Sequence, residues 1–312
     1  MREPPDPAYY EITPGRLPPT DITLSIAGLG PCTDNPDRKL HLDSSQPVNI
    51  LVHGCFGSSG QFRGLAQVLA FHGQQTACFT YDDRAALTRS ATELRLAINQ
   101  LAEQTRAPQI TVIGHSQGAL ITRKSLTNLP LDTPRRQADL RLVTISGPFD
   151  GIASAQTCGK SWLRPLTLGL VPLTCYVATG AKWADITYSS PFIREPGALT
   201  SQVSRYLKID TDERSSCRHD EAGNCTDDDF VFSLDEQRNL QVETDTRMQR
   251  VEIRAGHVEI VGNKRLAPTK LIAVLQQQGV LHPTPPDRLS AFSKLLARVY
   301  RDDSFLPQTQ AR

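Results

Sequence analysis

The stretch ITVIGHSQGAL, residues 110–120, decides the fold. An apolar run ends at Ile113, a serine stands at Ser116 between two glycines, and a helix-like segment follows. A serine on a sharp turn needs small neighbours two residues away on either side, because longer side chains would collide there, and Gly114 and Gly118 meet that need. Strand, tight turn and helix form the context of the G-x-S-x-G nucleophile elbow. We therefore expect Ser116 to be a nucleophile near the N-terminus of a helix, which favours negative charge.

Segments of strand length alternate with helical segments along the rest of the chain. Near-continuous apolar runs such as residues 48–52 are typical of buried parallel strands. The predicted strands are 21–26, 39–42, 48–52, 76–81, 110–113, 140–146, 203–209 and 250–254, the last two near a sheet edge. The predicted helices are 62–72, one opened by a capping box at Ser90–Glu93, 119–126, 269–278 and 288–300. This order predicts an α/β fold with a mainly parallel sheet and helices on both faces.

Composition limits the possible partners. The formal net charge of +1 and the pI of about 7.6 give no electrostatic reason to expect nucleic acid or an anionic membrane as a partner. No stretch is long and apolar enough to predict a transmembrane helix. We expect a loosely ordered arm over residues 1–20 and one domain over 21–312, with an insertion at about 152–199 that is long enough to suggest a functional loop. The oligomeric state is not readable from the sequence.

The seven cysteines predict disulfides. Cys158 and Cys175 flank one loop-like segment, and Cys217 and Cys225 bracket another. Local pairs of this kind indicate bridges formed in an oxidising compartment, so we expect a periplasmic or secreted protein. The residues at the N-terminus lack the apolar region of a signal peptide. Pairing among Cys32, Cys55 and Cys78 stays open.

A serine nucleophile needs a histidine base, which a carboxylate must orient. In chain order the acid follows the serine and the histidine comes last, after the final strand. His257 follows the strand 250–254, and Gly256 lets the turn close. His219 and His282 are poorer candidates, because the first precedes the acid and the second follows a helix. We therefore expect His257 to be the base.

The acid should follow the strand 203–209. The candidates after this strand are Asp210, Asp212, Asp227, Asp228 and Asp229. Asp150 is a further candidate, because it follows the strand 140–146. A solvated turn or a calcium-binding loop is the alternative interpretation of the triple aspartate.

The attacked carbonyl becomes an oxyanion, which backbone N–H groups must stabilise. Gln117, directly after the nucleophile, should supply one donor. The loop His53-Gly54-Cys55-Phe56-Gly57 follows the strand 48–52, and we expect the Cys55 amide to supply the other. No cofactor or metal is needed for this chemistry.

The chain resembles the lipase/esterase type of α/β-hydrolase from about Val48 to Val261. The loop at residues 53–57 is similar to the H-G-x-x-G of lipases and esterases, and the elbow and terminal histidine follow in the family's order. Residues 188–193 are similar to a segment of triacylglycerol lipases and the inositol-deacylase-like group. Asp228, before an apolar pair, resembles the acid loop of many lipases and is favoured over Asp229. The cysteine at position 55 and the residue at 117 depart from the commoner pattern.

The resemblance implies an α/β-hydrolase fold with a cap, and cleavage of small-molecule or lipid esters through an acyl-enzyme. The uncharged stretch at residues 166–173 would then offer apolar surface to an acyl chain. Acyl transfer or thioester cleavage uses the same residues and stays open. A non-catalytic binding protein is the alternative from a different class. The sequence leaves the acyl chain length and the physiological substrate open.

Overall fold

The computed structural model describes residues 15–127, 138–152, 182–219, 225–263 and 265–301. Within them, a seven-stranded sheet has the order β11-β8-β7-β6-β4-β5-β2. All neighbouring pairs are parallel except the edge pair of β2 and β5. The strands are β1 (Ile22–Leu24), β2 (Leu29–Gly30), β3 (Leu40–Leu42), β4 (Val48–Val52), β5 (Gln75–Phe79), β6 (Gln109–His115), β7 (Asp139–Ile145), β8 (Val203–Asp212), β9 (Cys217–His219), β10 (Cys225–Asp228) and β11 (Met248–Arg254).

Helices cover both faces of this sheet. They are α1 (Arg63–Phe71), α2 (Leu87–Gln104), α3 (Gln117–Ser125), α4 (Lys182–Ile186), α5 (Pro191–Arg194), α6 (Leu234–Gln237), α7 (Leu240–Glu243), α8 (Thr269–Gln277) and α9 (Leu289–Tyr300). Alternate residues of β4 separate the two cores: Ile50 packs with residues of α2 and α3, and Leu51 with residues of α1, α8 and α9. This two-faced burial explains the near-continuous apolar runs of the central strands. The predicted fold class is confirmed.

Of the details that differ from the prediction, two bear on the site and its surroundings. The α2 helix begins at Leu87, so Ser90 lies inside it and forms no cap. The carboxylate of Asp185, on α4, accepts the Leu87 amide at 2.7 Å and satisfies this helix end from outside the local sequence. Strand β8 continues to Asp212 and lies next to the edge strand β11. Because the strand is longer than predicted, it ends directly before Glu213.

Two disulfides are present in the described residues. The Cys217–Cys225 bridge is confirmed and joins the antiparallel strands β9 and β10. A second bridge, Cys32–Cys78, answers the pairing that the sequence left open and leaves Cys55 as a free thiol. The Cys158–Cys175 pair, residues 166–173 and most of the proposed cap lie outside the described residues. No helix in the described part of the chain could cross a membrane.

Candidate active site

The elbow places Ser116 between the end of β6 and the start of α3. Its backbone has φ 57° and ψ −127°, a left-handed conformation that is strained for a non-glycine residue. A Cβ on Gly114 would lie 2.4 Å from the Gly118 carbonyl oxygen, and one on Gly118 would lie 2.4 Å from the carbonyl oxygens of Val52 and His53. Because these carbonyl oxygens belong to the backbone, they cannot move aside without displacing the chain around the elbow. The two glycines are therefore needed for the steric reason inferred from the sequence.

His257 lies in the loop after β11, and its partner is Glu213. The Glu213 Oε1 atom lies 2.8 Å from His257 Nδ1, and both side chains are buried. The His257 ring also packs edge-on against the Phe232 ring. No hydrogen bond joins Ser116 Oγ to this ring within the described residues, although both side chains line one cavity. Such contacts often tighten only when substrate binds.

Glu213 is fixed on both carboxylate oxygens. Oε2 accepts the backbone amides of Val231 and Phe232 at 2.7 and 2.8 Å. Oε1 accepts the hydroxyls of Ser146 at 2.7 Å and Thr211 at 3.0 Å, besides facing His257. Burial raises the pKa of this carboxyl, but the hydrogen bond and charge of His257, together with the other donors, lower it below its ordinary value. Glu213 is therefore held as an anion.

The structure does not place Asp228 beside His257, as its predicted role of orienting acid would require. Its side chain is exposed, and Oδ1 accepts the amide of Phe230 at 3.1 Å within a turn. Asp210 is committed to an ion pair with Lys208 inside β8, and Asp212 to one with Arg214. Neither they nor the exposed Asp150 contact His257, since Glu213 occupies that place. The carboxyl ends of β7 and β8 meet there, so the first residue beyond β8 reaches the ring.

Asp229, the second choice, has a different task. Its buried carboxylate Oδ2 accepts the amides of Val258 and Glu259 at 2.9 and 3.0 Å, and its backbone carbonyl accepts the His257 amide at 3.0 Å. A Cβ on Gly256 would lie 2.2 Å from Oδ2, so only glycine admits this close approach. Oδ1 accepts Arg218 Nε at 2.9 Å. Asp229 therefore shapes the loop that carries His257.

His115 supports the same loop from the elbow side. Its Nε2 donates to the His257 carbonyl at 3.0 Å, and the two rings lie 4.7 Å apart. Burial, and next the nearby His257 charge, lower the pKa of His115 well below its ordinary value. Because this ring is hard to protonate, it does not compete with His257 for the proton of a nucleophile. His282, the rejected candidate, contacts His72 instead.

The loop after β4 lies directly against the nucleophile. A Cβ on Gly54 would lie 2.9 Å from Ser116 Cβ, so the backbone of this loop passes within contact distance of the serine. Within the described residues, the amides of Cys55 and Gln117 donate to no protein acceptor. The loop is held by Tyr81, whose hydroxyl donates to the His53 carbonyl at 2.8 Å. Within this loop, Phe56 has φ 57° and is 75 % exposed.

Comparison with known proteins agrees with the fold. A family model described as "Alpha/beta hydrolase of unknown function (DUF900)" matches residues 57–150, which include the elbow but neither Glu213 nor His257. No curated protein matches the sequence. The lipase BlEst2 of Bacillus licheniformis in mature form is 12 % identical, with a TM-score of 0.50 over 80 % of this chain and 96 % of that one. The chain has the α/β-hydrolase fold.

Two further solved structures are similar. The Est2 esterase of Thermogutta terrifontis, with propionate bound, is 14 % identical, with a TM-score of 0.46 over 77 % of this chain and 86 % of that one. Esterase B of Lactobacillus rhamnosis, with an inhibitor, is 10 % identical, with a TM-score of 0.48 over 92 % of each chain.

A cavity of about 500 Å³ opens beside Ser116. Its floor holds Ser116, Gln117 and His257. Apolar side chains form much of its wall: Phe56, Pro148, Ile152, Trp183, Ile186, Val231, Phe232 and Val258. Lys182 and Arg218 also border it, and each pairs with an aspartate. In the described part of the chain, no cluster of side chains is suited to hold a metal ion.

Glu213 is the carboxylate beside His257 that the sequence prediction missed. The order of an α/β-hydrolase triad allows either Asp or Glu, and Glu213 follows the predicted strand by only four positions. The prediction compared aspartates alone, and it ended β8 at Ile209 rather than Asp212. The run Asp210-Thr211-Asp212-Glu213 is polar throughout, so hydrophobic periodicity gives no sign that the strand continues to Asp212.

Proposed function

We propose that this α/β-hydrolase cleaves carboxylic esters through Ser116, His257 and Glu213. The observation that carries the proposal is the buried Glu213–His257 pair, 2.8 Å apart, which borders the cavity holding Ser116. A carboxylate on Nδ1 keeps the imidazole in the tautomer whose Nε2 can accept a proton, and it stabilises the imidazolium once formed. The strained turn aims the hydroxyl at the substrate cavity.

In the proposed reaction, Ser116 Oγ attacks the ester carbonyl while His257 takes its proton. The oxyanion of the tetrahedral intermediate accepts hydrogen bonds from the backbone amides of Cys55 and Gln117. His257 then gives the proton to the leaving alcohol, and an acyl-enzyme remains on Ser116. Water, activated by the same imidazole, attacks the acyl-enzyme and releases the acid. Each step needs only residues of this chain.

The substrate class follows from the cavity walls. The predominantly apolar side chains around Ser116 suit the acyl part of a neutral ester. Acyl transfer to an alcohol, or cleavage of a thioester, would use the same acyl-enzyme, so the acceptor decides among these reactions. The two disulfides support a periplasmic or secreted location.

Labelling with a fluorophosphonate probe tests the proposal, since the probe bonds only to an activated serine. We expect the wild-type protein to be labelled and to hydrolyse p-nitrophenyl esters, and Ser116→Ala to do neither while keeping its circular dichroism spectrum. His257→Ala should also lose both, whereas His282→Ala should keep them. Unlabelled, inactive wild-type protein would instead favour the binding-protein alternative.

A panel of esters and thioesters of increasing chain length, assayed with water alone and with added alcohol, separates the related reactions. Hydrolysis products that persist in the presence of alcohol support the esterase. Predominant formation of the new ester, or a strong preference for thioesters, would assign the alternative activity to the same serine.

A further inference from the structure

Lys182 is a buried cation that the proposed reaction does not use. Its side chain is only 1 % exposed, although it comes from the short helix α4 at the edge of the cavity. A charged ammonium is removed from water only when partners compensate for the lost hydration. The partners of Lys182 therefore indicate what this residue is for.

Those partners all lie in or beside the loop at residues 53–57, which carries the proposed oxyanion donor Cys55 and is called the oxyanion loop below. Lys182 Nζ donates to Cys55 Sγ at 2.8 Å and to Asp83 Oδ2 at 3.2 Å, and it lies 4.5 Å from the centre of the Phe56 ring. Burial raises the pKa of the Cys55 thiol, although the Lys182 contact opposes this. A neutral thiol leaves Asp83 as the anion that balances Lys182.

Asp83 is bonded to both segments that carry the proposed oxyanion donors. Its Oδ2 accepts the Phe56 amide at 2.7 Å, and its backbone carbonyl accepts Gln117 Nε2 at 3.4 Å. Phe56 has φ 57°, so the peptide that follows Cys55 is held in a conformation that L-residues rarely adopt. The bond from Phe56 to Asp83 restrains that conformation.

We propose, on the basis of the proposed esterase function, that Lys182 and Asp83 are positioning residues that hold the Cys55 amide in place to stabilise the oxyanion. The helix α4 thus does more than contribute Trp183 and Ile186 to the cavity wall. It supplies the cation that fixes Asp83, and Asp83 fixes the loop. Neither side chain needs to touch the substrate.

The same helix offers a matched control. Asp185 tethers α4 to α2 by accepting the Leu87 amide at 2.7 Å, but no contact joins it to the oxyanion loop in the described residues. Loss of Asp185 loosens the docking of the helix, whereas loss of Lys182 also releases Asp83 and Phe56. Comparison of the two variants separates a structural effect from an effect on the loop.

The test measures kcat and KM for a p-nitrophenyl ester, and Ki for an aryl trifluoromethyl ketone, whose serine adduct carries the oxyanion. Loss of one direct oxyanion donor costs about 10²- to 10³-fold in kcat. For Lys182→Met we expect a fall of roughly tenfold or more, smaller because the donor is misplaced rather than removed. KM should change little, and Ki should rise in proportion to the fall in kcat/KM.

Asp185→Ala should keep kcat and Ki within about twofold, and Lys182→Arg should retain most activity because it keeps the ion pair. If Lys182→Met fails to fold by near-UV circular dichroism, Asp83→Asn replaces it, with the same rise in Ki expected. Unchanged kcat and Ki in a folded Lys182→Met, or equal losses in Asp185→Ala, would overturn the proposal. Failure of the ester hydrolase function itself would appear separately, as wild-type protein without turnover or Ser116-dependent labelling.

Discussion

The elbow around Ser116 follows β6 and the segment around Glu213 follows β8, with β7 between them, and the two are built in different ways. The residues that the elbow constrains lie together at 114–118, where Gly114 avoids the backbone of Gly118 and Gly118 avoids that of Val52 and His53. Glu213 instead depends on partners far apart in the chain: Ser146 on one side, and Val231 and Phe232 on the other. A local steric requirement leaves a compact sequence pattern, whereas a site assembled by tertiary contacts leaves none.

Separate substitution of the two acids, Glu213 and Asp228, tests this comparison most directly. Glu213→Gln should lower kcat by about 10⁴-fold, as loss of the orienting carboxylate does in Ser-His-Asp enzymes, because the imidazole loses its tautomer and its counter-charge. Asp228→Asn should change kcat by less than about twofold, since its side chain is exposed and only closes a turn. Steady-state kinetics with one ester decides between them. A steep loss in Asp228→Asn with an active Glu213→Gln would restore the assignment made from sequence.

The sequence predicted the fold, because the central strands are buried on both faces and their apolar runs leave little ambiguity. It also predicted the elbow and the place of His257, since both follow recognisable strands. It misplaced the acid for two physical reasons. Strand length is set by pairing with neighbours, and β8 gains three residues by pairing with β11 as far as Asp212. Carboxylates near a strand end also differ in their direction, which the sequence does not record.

The start of α2 illustrates the same limit. Ser90 and Glu93 form a good local capping pattern, yet Asp185 satisfies the helix end three residues earlier from a distant part of the chain. A tertiary partner overrides the local signal there. The free thiol at Cys55 and its contact with Lys182 are likewise products of the fold, which brings together residues 127 positions apart.

A second comparison concerns Asp229, which supports His257 without touching its ring. Asp229→Ala would leave the amides of Val258 and Glu259 without their acceptor and free the loop. We expect kcat to fall by roughly 10²-fold, because a small displacement of a catalytic group has that effect. Asp227→Ala, at an exposed position two residues earlier, is the control and should retain kcat. Equal activity of the two variants would remove Asp229 from the support of the loop.

We expect the Cys32–Cys78 disulfide to contribute more to stability and the Cys217–Cys225 disulfide to contribute more to activity. Cys32–Cys78 spans 46 residues and Cys217–Cys225 spans 8, so on the chain-entropy model they contribute about 4 and about 2.5 kcal/mol to the free energy of unfolding. Only the second holds the hairpin from which Arg218 reaches Asp229. Replacing both cysteines of the long bridge by alanine should therefore cost more stability.

The short-bridge double variant should instead lose more activity, with kcat down severalfold. Urea unfolding followed by fluorescence gives the free energy of unfolding of each variant. Kinetics at a temperature where both variants are folded give their kcat. Equal retention of kcat in both variants would contradict the link between the hairpin and the His257 loop.

The smallest expected effect is on the pH dependence of the unfolding free energy, which should differ between variants of Glu213 and of Ser116. Burial alone would raise the pKa of Glu213, but its bonds to His257 and the other donors lower it below the ordinary 4.5. A carboxylate with a depressed folded-state pKa contributes stability that is present above its unfolded-state pKa and is lost as the pH falls through its folded-state pKa. The difference in unfolding free energy between wild type and Glu213→Gln should therefore be largest near pH 5 and shrink below about pH 4.5. Urea titrations from pH 5 downward measure it. The Ser116→Ala difference should stay constant over this range, because no titrating group is removed, and a Glu213→Gln difference that grows as the pH falls would mean that Glu213 is not held as an anion.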